Sequence, residues 1–292
     1  MKVGFIGVGN MGGPMCRNII RNTNHDVVVF DLNPAAIKAC TDLGASSGTS
    51  VRQVAADSDV VFTSLPMPRN VEEVARDIAA SAKAGTVYID LSTNSPATAR
   101  RVNEQMHAKG IQMLEAPVSG GVPRATDGTI VIMVGGDAPV FDAQLPLLKS
   151  FSGEVVHVGE IGMGSVAKLV NNMLAFCNAA AAAEALVIGA MAGIDLRKLQ
   201  QVISNASGNS SAFRNISEKA FKREFAATFA LDLAHKDLRL ALELADELGV
   251  PGMIAPQVMN LMRIARAKGM GGDDSSSVIR VYEQALGKEV KA

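Results

Sequence analysis

Hydrophobic positions in the first half of the chain come in short, nearly unbroken runs. Seven of these, 3–6, 27–31, 59–63, 86–90, 112–116, 130–134 and 155–158, are rich in Val and Ile. Continuous apolar character over four or five residues predicts strands buried on both faces. Between the runs, helical stretches are predicted over 11–21, 34–43, 71–82, 96–109 and 140–149. Pro34, Pro96 and Pro139 stand at the start of their stretches, where a helix tolerates proline. Strand–helix alternation of this kind predicts an α/β domain built on a doubly wound parallel sheet.

The pattern changes after Gly159-Glu160-Ile161-Gly162. Beyond it no run reads as a strand, and helical stretches are predicted over 163–192, 195–206, 231–248, 252–268 and 275–286. Pro251 and the segment Gly269-Met270-Gly271-Gly272 punctuate them. The expected organisation is therefore a sheet domain over 1–162 followed by an all-helical domain over 163–292. Only 173–192 is apolar over a length that suggests a membrane span. It carries Asn178 and Glu184, and its alanine run 179–183 is weakly hydrophobic, so a long buried helix is expected instead. The apolar run at 3–8 is too short for a signal sequence, which favours a cytoplasmic location.

Composition narrows the function. Apolar residues make up 48% of the 292 positions and charged residues 20%, an ordinary balance for a folded soluble protein. A formal net charge of -1, no Trp and only two Tyr leave neither a basic footprint nor stacking platforms for nucleic acid. Cys16, Cys40 and Cys177 fit neither a disulfide framework nor a zinc spacing, and no metal is expected.

The first predicted strand runs into Gly7-Val8-Gly9-Asn10-Met11-Gly12, a GxGxxG motif, with a helical stretch after it. The second strand ends in Asp31, nineteen residues beyond Gly12. This is the layout of a dinucleotide fingerprint on a Rossmann-type sheet. Gly7 permits the tight turn, Gly9 lets the backbone approach a pyrophosphate, and Gly12 lets helix and strand pack closely. The helix N-terminus favours the phosphates. Asp31 can accept from the adenosine ribose hydroxyls and would repel a 2′-phosphate. No Arg follows it in Leu32-Asn33-Pro34, so NAD is expected rather than NADP.

Two further segments bear on chemistry. Glu115-Ala-Pro-Val-Ser119-Gly120-Gly121 follows an apolar strand and can offer a hydroxyl and unshielded backbone N–H groups to a carboxylate, though the same pattern serves as an ordinary turn. Lys168 and Asn172 lie four apart near the start of the long apolar helix and share one face. A lysine on a helix is ordinarily solvated. Burial would favour its neutral form, the form that takes up a proton. The four histidines are scattered and belong to no interpretable motif.

Taken together and in order, these segments resemble the β-hydroxyacid dehydrogenase family, the group of 3-hydroxyisobutyrate dehydrogenase. The segments are GFIGVGNMGGPMCRNI (4–19), DLSTNSP (90–96), EAPVSGG (115–121), GMGSVAKLVNN (162–172) and FALDLAHKDLRLAL (229–242). Glu115 departs from the family, which more often has Asp there. The resemblance implies Lys168 as catalytic acid/base, with Asn172 holding substrate beside it. It implies Ser119, Gly120 and Gly121 as the receptor of the substrate carboxylate. Gly7, Gly9, Asn10, Met11, Gly12, Asp31, Leu65, Pro66, Thr93 and Lys236 would meet the cofactor, and Phe229 and Asp237 would border the active site. It implies NAD-dependent oxidation of a small 3-hydroxy acid such as 3-hydroxyisobutyrate, by a homo-oligomer (dimer or tetramer) formed through the helical domain.

Sister activities resemble it closely: tartronate semialdehyde reduction, which GGVPRATDGT (120–129) matches about as well, and dehydrogenation of serine. Imine reductases share the architecture but generally lack a lysine at position 168. Decarboxylating 6-phosphogluconate dehydrogenase would need phosphate-binding cations. A non-catalytic dinucleotide-binding module is the alternative of a different class, and the Lys168/Asn172 pair argues against it.

Overall fold

The computed structural model describes every residue from Met1 to Ala292. The chain divides into two compact units, Met1–Lys168 and Leu169–Ala292. The divide falls inside the long helix, whereas the sequence pattern changes at 162.

The first unit runs β1 (Lys2–Ile6), α1 (Gly12–Asn22), β2 (Asp26–Phe30), α2 (Pro34–Thr41), β3 (Ser46–Ser47), α3 (Val51–Asp57), β4 (Val60–Thr63), α4 (Pro68–Ser81), β5 (Val87–Asp90), α5 (Pro96–His107), β6 (Gln112–Glu115), β7 (Val118–Ser119), α6 (Gly121–Thr126), β8 (Ile130–Gly136), α7 (Ala138–Lys149) and β9 (Ser152–Gly159). The strands form one sheet in the order β3-β2-β1-β4-β5-β6-β8-β7, with β9 paired to β8. From β3 to β6 every pairing is parallel, as expected of a doubly wound sheet. β1 pairs with β2 on one edge and β4 on the other, so the strand order reverses there and the loops after β1 and β4 diverge.

The apolar runs alternate in the face they bury. Val3, Phe5, Val27, Val29, Val60, Phe62, Val87 and Ile89 pack with Met15, Cys16 and Ile19 of α1 and with Leu147 and Leu148 of α7. Ile6, Val28, Val61 and Tyr88 pack on the opposite face with Val54 of α3, Val71, Ala75 and Ile78 of α4, and Val102 and Met106 of α5. Both faces are covered, which is why no polar alternation marks these strands.

The sheet departs from a purely parallel plan at one end. The six-residue helix α6 does not carry the chain back over the sheet, so β8 returns antiparallel to β6 and β7. α3, α6 and the two-residue strands β3 and β7 are too short for periodicity to announce.

α8 (Met163–Ala192) leads into the second unit, followed by α9 (Leu196–Ser204), α10 (Ser211–Lys222), α11 (Leu231–Glu247), α12 (Ala255–Ala267), a 3₁₀ turn at Ser275–Val278 and α13 (Ile279–Leu286). The sequence reading missed α10, although Ser210 caps it by accepting from Phe213 N at 3.0 Å and Phe213, Ile216 and Ala220 form its buried stripe. α8 is the one helix long and apolar enough to cross a membrane by length and composition, and 44% of its most apolar window is buried. It is less buried than expected, because Val170, Leu174, Ile188 and Met191 are exposed.

Asp274 ties this unit together. Its buried carboxylate pairs with Lys219 and accepts from Thr228 N, Thr228 Oγ1, Phe229 N, Ser276 N and Ser276 Oγ. Burial raises its pKa, but Lys219 and the hydrogen bonds outweigh that and lower it from 3.8 to about 2. A lowered carboxyl contributes stability that is complete above its unfolded value and fades as the pH falls through about 2. Asp274→Asn leaves the Lys219 ammonium, 14% exposed, without its counter-charge. It should cost about 3 kcal/mol in urea unfolding at neutral pH. The gap to wild type should narrow on acidification, and an equal gap at pH 2 and pH 7 would contradict this.

Candidate active site

The glycine loop meets the steric demands of the fingerprint. Gly7 has φ +88°, and a Cβ on Gly12 would lie 1.9 Å from Gly7 O and 3.0 Å from Ser64 Cβ. Gly9 has open space where a Cβ would stand, so a phosphate can approach its backbone. Asp31 Oδ2 accepts from Val8 N at 2.8 Å and Oδ1 from Asn33 N at 2.8 Å. The acidic residue thus clamps the glycine loop to the end of β2.

The loops after β4 and β5 are joined by a buried network. Asp90 Oδ1 accepts from Thr63 Oγ1 at 2.7 Å and Ser92 N at 3.1 Å, and Oδ2 accepts from Asn94 Nδ2 at 2.7 Å. Ser92 Oγ in turn accepts from Leu65 N at 2.9 Å. Asp90 therefore positions both Leu65-Pro66 and Thr93. Burial pushes its carboxyl above the ordinary value against the pull of these donors. The buried Asn94 Oδ1 has no partner in the chain, an acceptor left for a donor from outside. The open cradle at Gly9 and this acceptor fit a dinucleotide.

Glu115 ends β6. Its carboxylate accepts from Gly162 N, from Gly164 N at 2.9 Å, from Ser165 N at 3.2 Å and from Ser165 Oγ. These donors belong to the start of α8, whose free N–H groups need acceptors and whose dipole favours an anion. The space is reserved for it: a Cβ on Gly135 would lie 2.5 Å from Glu115 Oε1, and one on Gly164 would lie 3.2 Å from Glu115 Cγ. Burial pushes this carboxyl up, opposed by Ser165 and the three backbone N–H groups. One carboxylate thereby ties the strand that leads to Ser119-Gly120-Gly121 to the helix that carries Lys168. Lys168 is buried, at 8% exposure, three residues past Ser165. Glu115 and Asp90 had no positioning role in the sequence reading. The available signal was a carboxylate at the end of a buried strand, which must find donors.

In the second unit, Asn172 Nδ2 donates to Asp237 Oδ2 at 2.7 Å, and Lys236 Nζ meets Asp237 Oδ1 at 2.8 Å as an ion pair whose angles fall outside those of a hydrogen bond. All three are buried. The ring of Phe229 is stacked on that of Phe176 of α8, with centroids 6.1 Å apart.

Pro66, Gly9 and Asn10 are exposed, and the loops that hold them follow the C-terminal ends of parallel strands. A cleft of about 1100 Å³ lies elsewhere, between α5 and α7. Gly110 to Met113 and Gly136 line it, at the start of β6 and the end of antiparallel β8. It opens at the opposite sheet edge and contains none of the residues above.

Residues 2–159 match the family described as the NAD-binding domain of 6-phosphogluconate dehydrogenase. Residues 162–282 match the NAD-binding domain of NADP-dependent 3-hydroxyisobutyrate dehydrogenase. The chain belongs to the β-hydroxyacid dehydrogenase family. It is 40% identical over 294 residues to 2-(hydroxymethyl)glutarate dehydrogenase of Eubacterium barkeri, covering 99% of this chain and 97% of the relative. It is 36% identical to 3-hydroxyisobutyrate dehydrogenase of Pseudomonas aeruginosa, covering 96% and 98%. The structure of Mycobacterium tuberculosis 3-hydroxyisobutyrate dehydrogenase with L-serine superposes with a TM-score of 0.88 at 32% identity, covering 96% of this chain and 98% of that one. As a β-hydroxyacid dehydrogenase, the protein is an oxidoreductase that uses NAD to oxidise 3-hydroxy acids.

Removing the anchor should disturb the start of α8 and spare the glycine loop. Glu115→Ala is expected to lower kcat at least about tenfold, the scale of a slightly misplaced catalytic group. NADH affinity, read by cofactor fluorescence, should stay within about threefold, because that loop is clamped by Asp31. An unchanged kcat, or equal loss of NADH binding, would remove Glu115 from this role.

Proposed function

We propose that the protein oxidises a small 3-hydroxy acid to its semialdehyde, with Lys168 as the acid/base. The carrying observation is the burial of Lys168 on a helix whose first turn is tied by Glu115 to the strand before Ser119. Lysines are seldom buried without a task. The glycine loop, Asp31, Leu65-Pro66, Thr93 and Lys236 would hold NAD. Bound NAD supplies the hydride acceptor. The Ser119-Gly120-Gly121 turn receives the substrate carboxylate, and Asn172, oriented by Asp237, holds the hydroxyl. Neutral Lys168 Nζ takes the proton of the 3-hydroxyl as the C–H bond breaks, and its ammonium returns that proton in reduction. Phe229 and Asp237 border the site.

Asp31, with no Arg in Leu32-Asn33-Pro34 after it, favours NAD over NADP. Candidate substrates are 3-hydroxyisobutyrate, serine and 2-(hydroxymethyl)glutarate, the first from the motifs and the last from the 40% identical relative. We also infer a homo-oligomer assembled through the helical unit, supported by the exposed apolar residues of α8. Its free cysteines suit a reducing, cytoplasmic setting.

The test is a panel of these acids with NAD and NADP, repeated with Lys168→Ala. Turnover with NAD is expected to exceed that with NADP, and the variant should lose about 10²–10⁴-fold in kcat while still binding NADH. Near-normal turnover by the variant at any pH would overturn the assignment.

A further inference from the structure

Arg124 lies on α6, one turn beyond the Ser119-Gly120-Gly121 turn. Helical side chains lean toward the N-terminus of their helix, and Arg124 does so fully. A Cβ built on Gly120 would lie 2.8 Å from Arg124 Cβ, 3.3 Å from Cγ and 2.9 Å from Cδ. Its stem is therefore laid across the bare Cα of Gly120, and only glycine at 120 leaves room for it. The guanidinium, joined directly to Cδ, stands at that turn. It is exposed, and it enters none of the ion pairs formed within the chain. Arg124 shares this lack of a carboxylate partner with several other arginines, and what sets it apart is its place over Gly120.

We propose that Arg124 determines specificity by pairing with a second anionic group on the substrate, so that the preferred class is a 3-hydroxy acid whose side chain ends in a carboxylate. This rests on the reading that the turn receives the carboxylate next to the reacting carbon. With that carboxylate seated on Ser119 and the neighbouring backbone, the forked donors of the exposed guanidinium, carried on a stem that crosses Gly120, are available to another anion. 2-(Hydroxymethyl)glutarate has the required form, whereas 3-hydroxyisobutyrate has a methyl group in place of the charged arm.

The test compares 2-(hydroxymethyl)glutarate with the derivative whose distal carboxylate is converted to the amide, which keeps size and removes only charge. Wild-type enzyme should favour the dicarboxylate in kcat/KM by at least about fivefold, chiefly through KM, with the preference shrinking in high salt. In Arg124→Ala the ratio should fall to about one, Arg124→Lys should keep part of it, and Arg124→Glu should invert it. Arg124 is exposed, so folding is checked simply by matching Tm. A wild-type ratio near one, or a ratio unmoved in Arg124→Ala, overturns the assignment. So does an equal loss on both substrates, which would place Arg124 on the first carboxylate. If wild type then still oxidises 3-hydroxyisobutyrate with NAD, only the Arg124 assignment fails. If it oxidises no 3-hydroxy acid, the reading beneath fails with it.

Discussion

The buried carboxylate of Glu115 joins two pieces of chain about fifty residues apart. Without it, the first N–H groups of α8 would point into protein with nothing to accept them, and each such group costs about 1–3 kcal/mol. With it, those donors, the Ser165 hydroxyl and the positive end of the helix dipole converge on one anion. Gly135 and Gly164 leave the room that the carboxylate occupies. The orientation of the first turn of α8, up to Lys168, follows from this junction.

Asp31 and Asp90 do comparable work along the same sheet edge. Asp31 clamps the glycine loop through Val8 N, and Asp90 joins the loops after β4 and β5 through Thr63, Ser92 and Asn94. Each sits at or just beyond the C-terminal end of a parallel strand, where loops diverge and backbone donors lack ladder partners. A carboxylate there satisfies several donors at once and fixes the loops before any ligand arrives, so binding need not order them. The glycine loop, the loops after β4 and β5, and the start of α8 are thus held by separate carboxylates.

Much of this architecture is legible in the sequence. The parallel strands declare themselves as apolar runs because helices cover both faces, and the glycine spacing declares itself because Gly12 can carry no Cβ beside Gly7 O. The antiparallel return of β8 was hidden, since strand periodicity carries no direction and α6 is too short to register. α10 was legible but missed: Ser210 and the spacing of Phe213, Ile216 and Ala220 state it. In the site, Lys168 and Asn172 could be paired by helical spacing. The partners of Glu115, the Asn172–Asp237 contact and the fold of Arg124 over Gly120 depend on tertiary approach, which local pattern does not encode.

The junction at Glu115 is tested most directly by residue-resolved amide hydrogen exchange at Gly162, Gly164 and Ser165. Amides at the start of a helix normally exchange almost freely. Here they are expected to be protected nearly as strongly as Met113 and Leu114 in β6, and to lose that protection selectively in Glu115→Ala. Exchange in the wild-type protein at the rate of an open helix end would contradict the account.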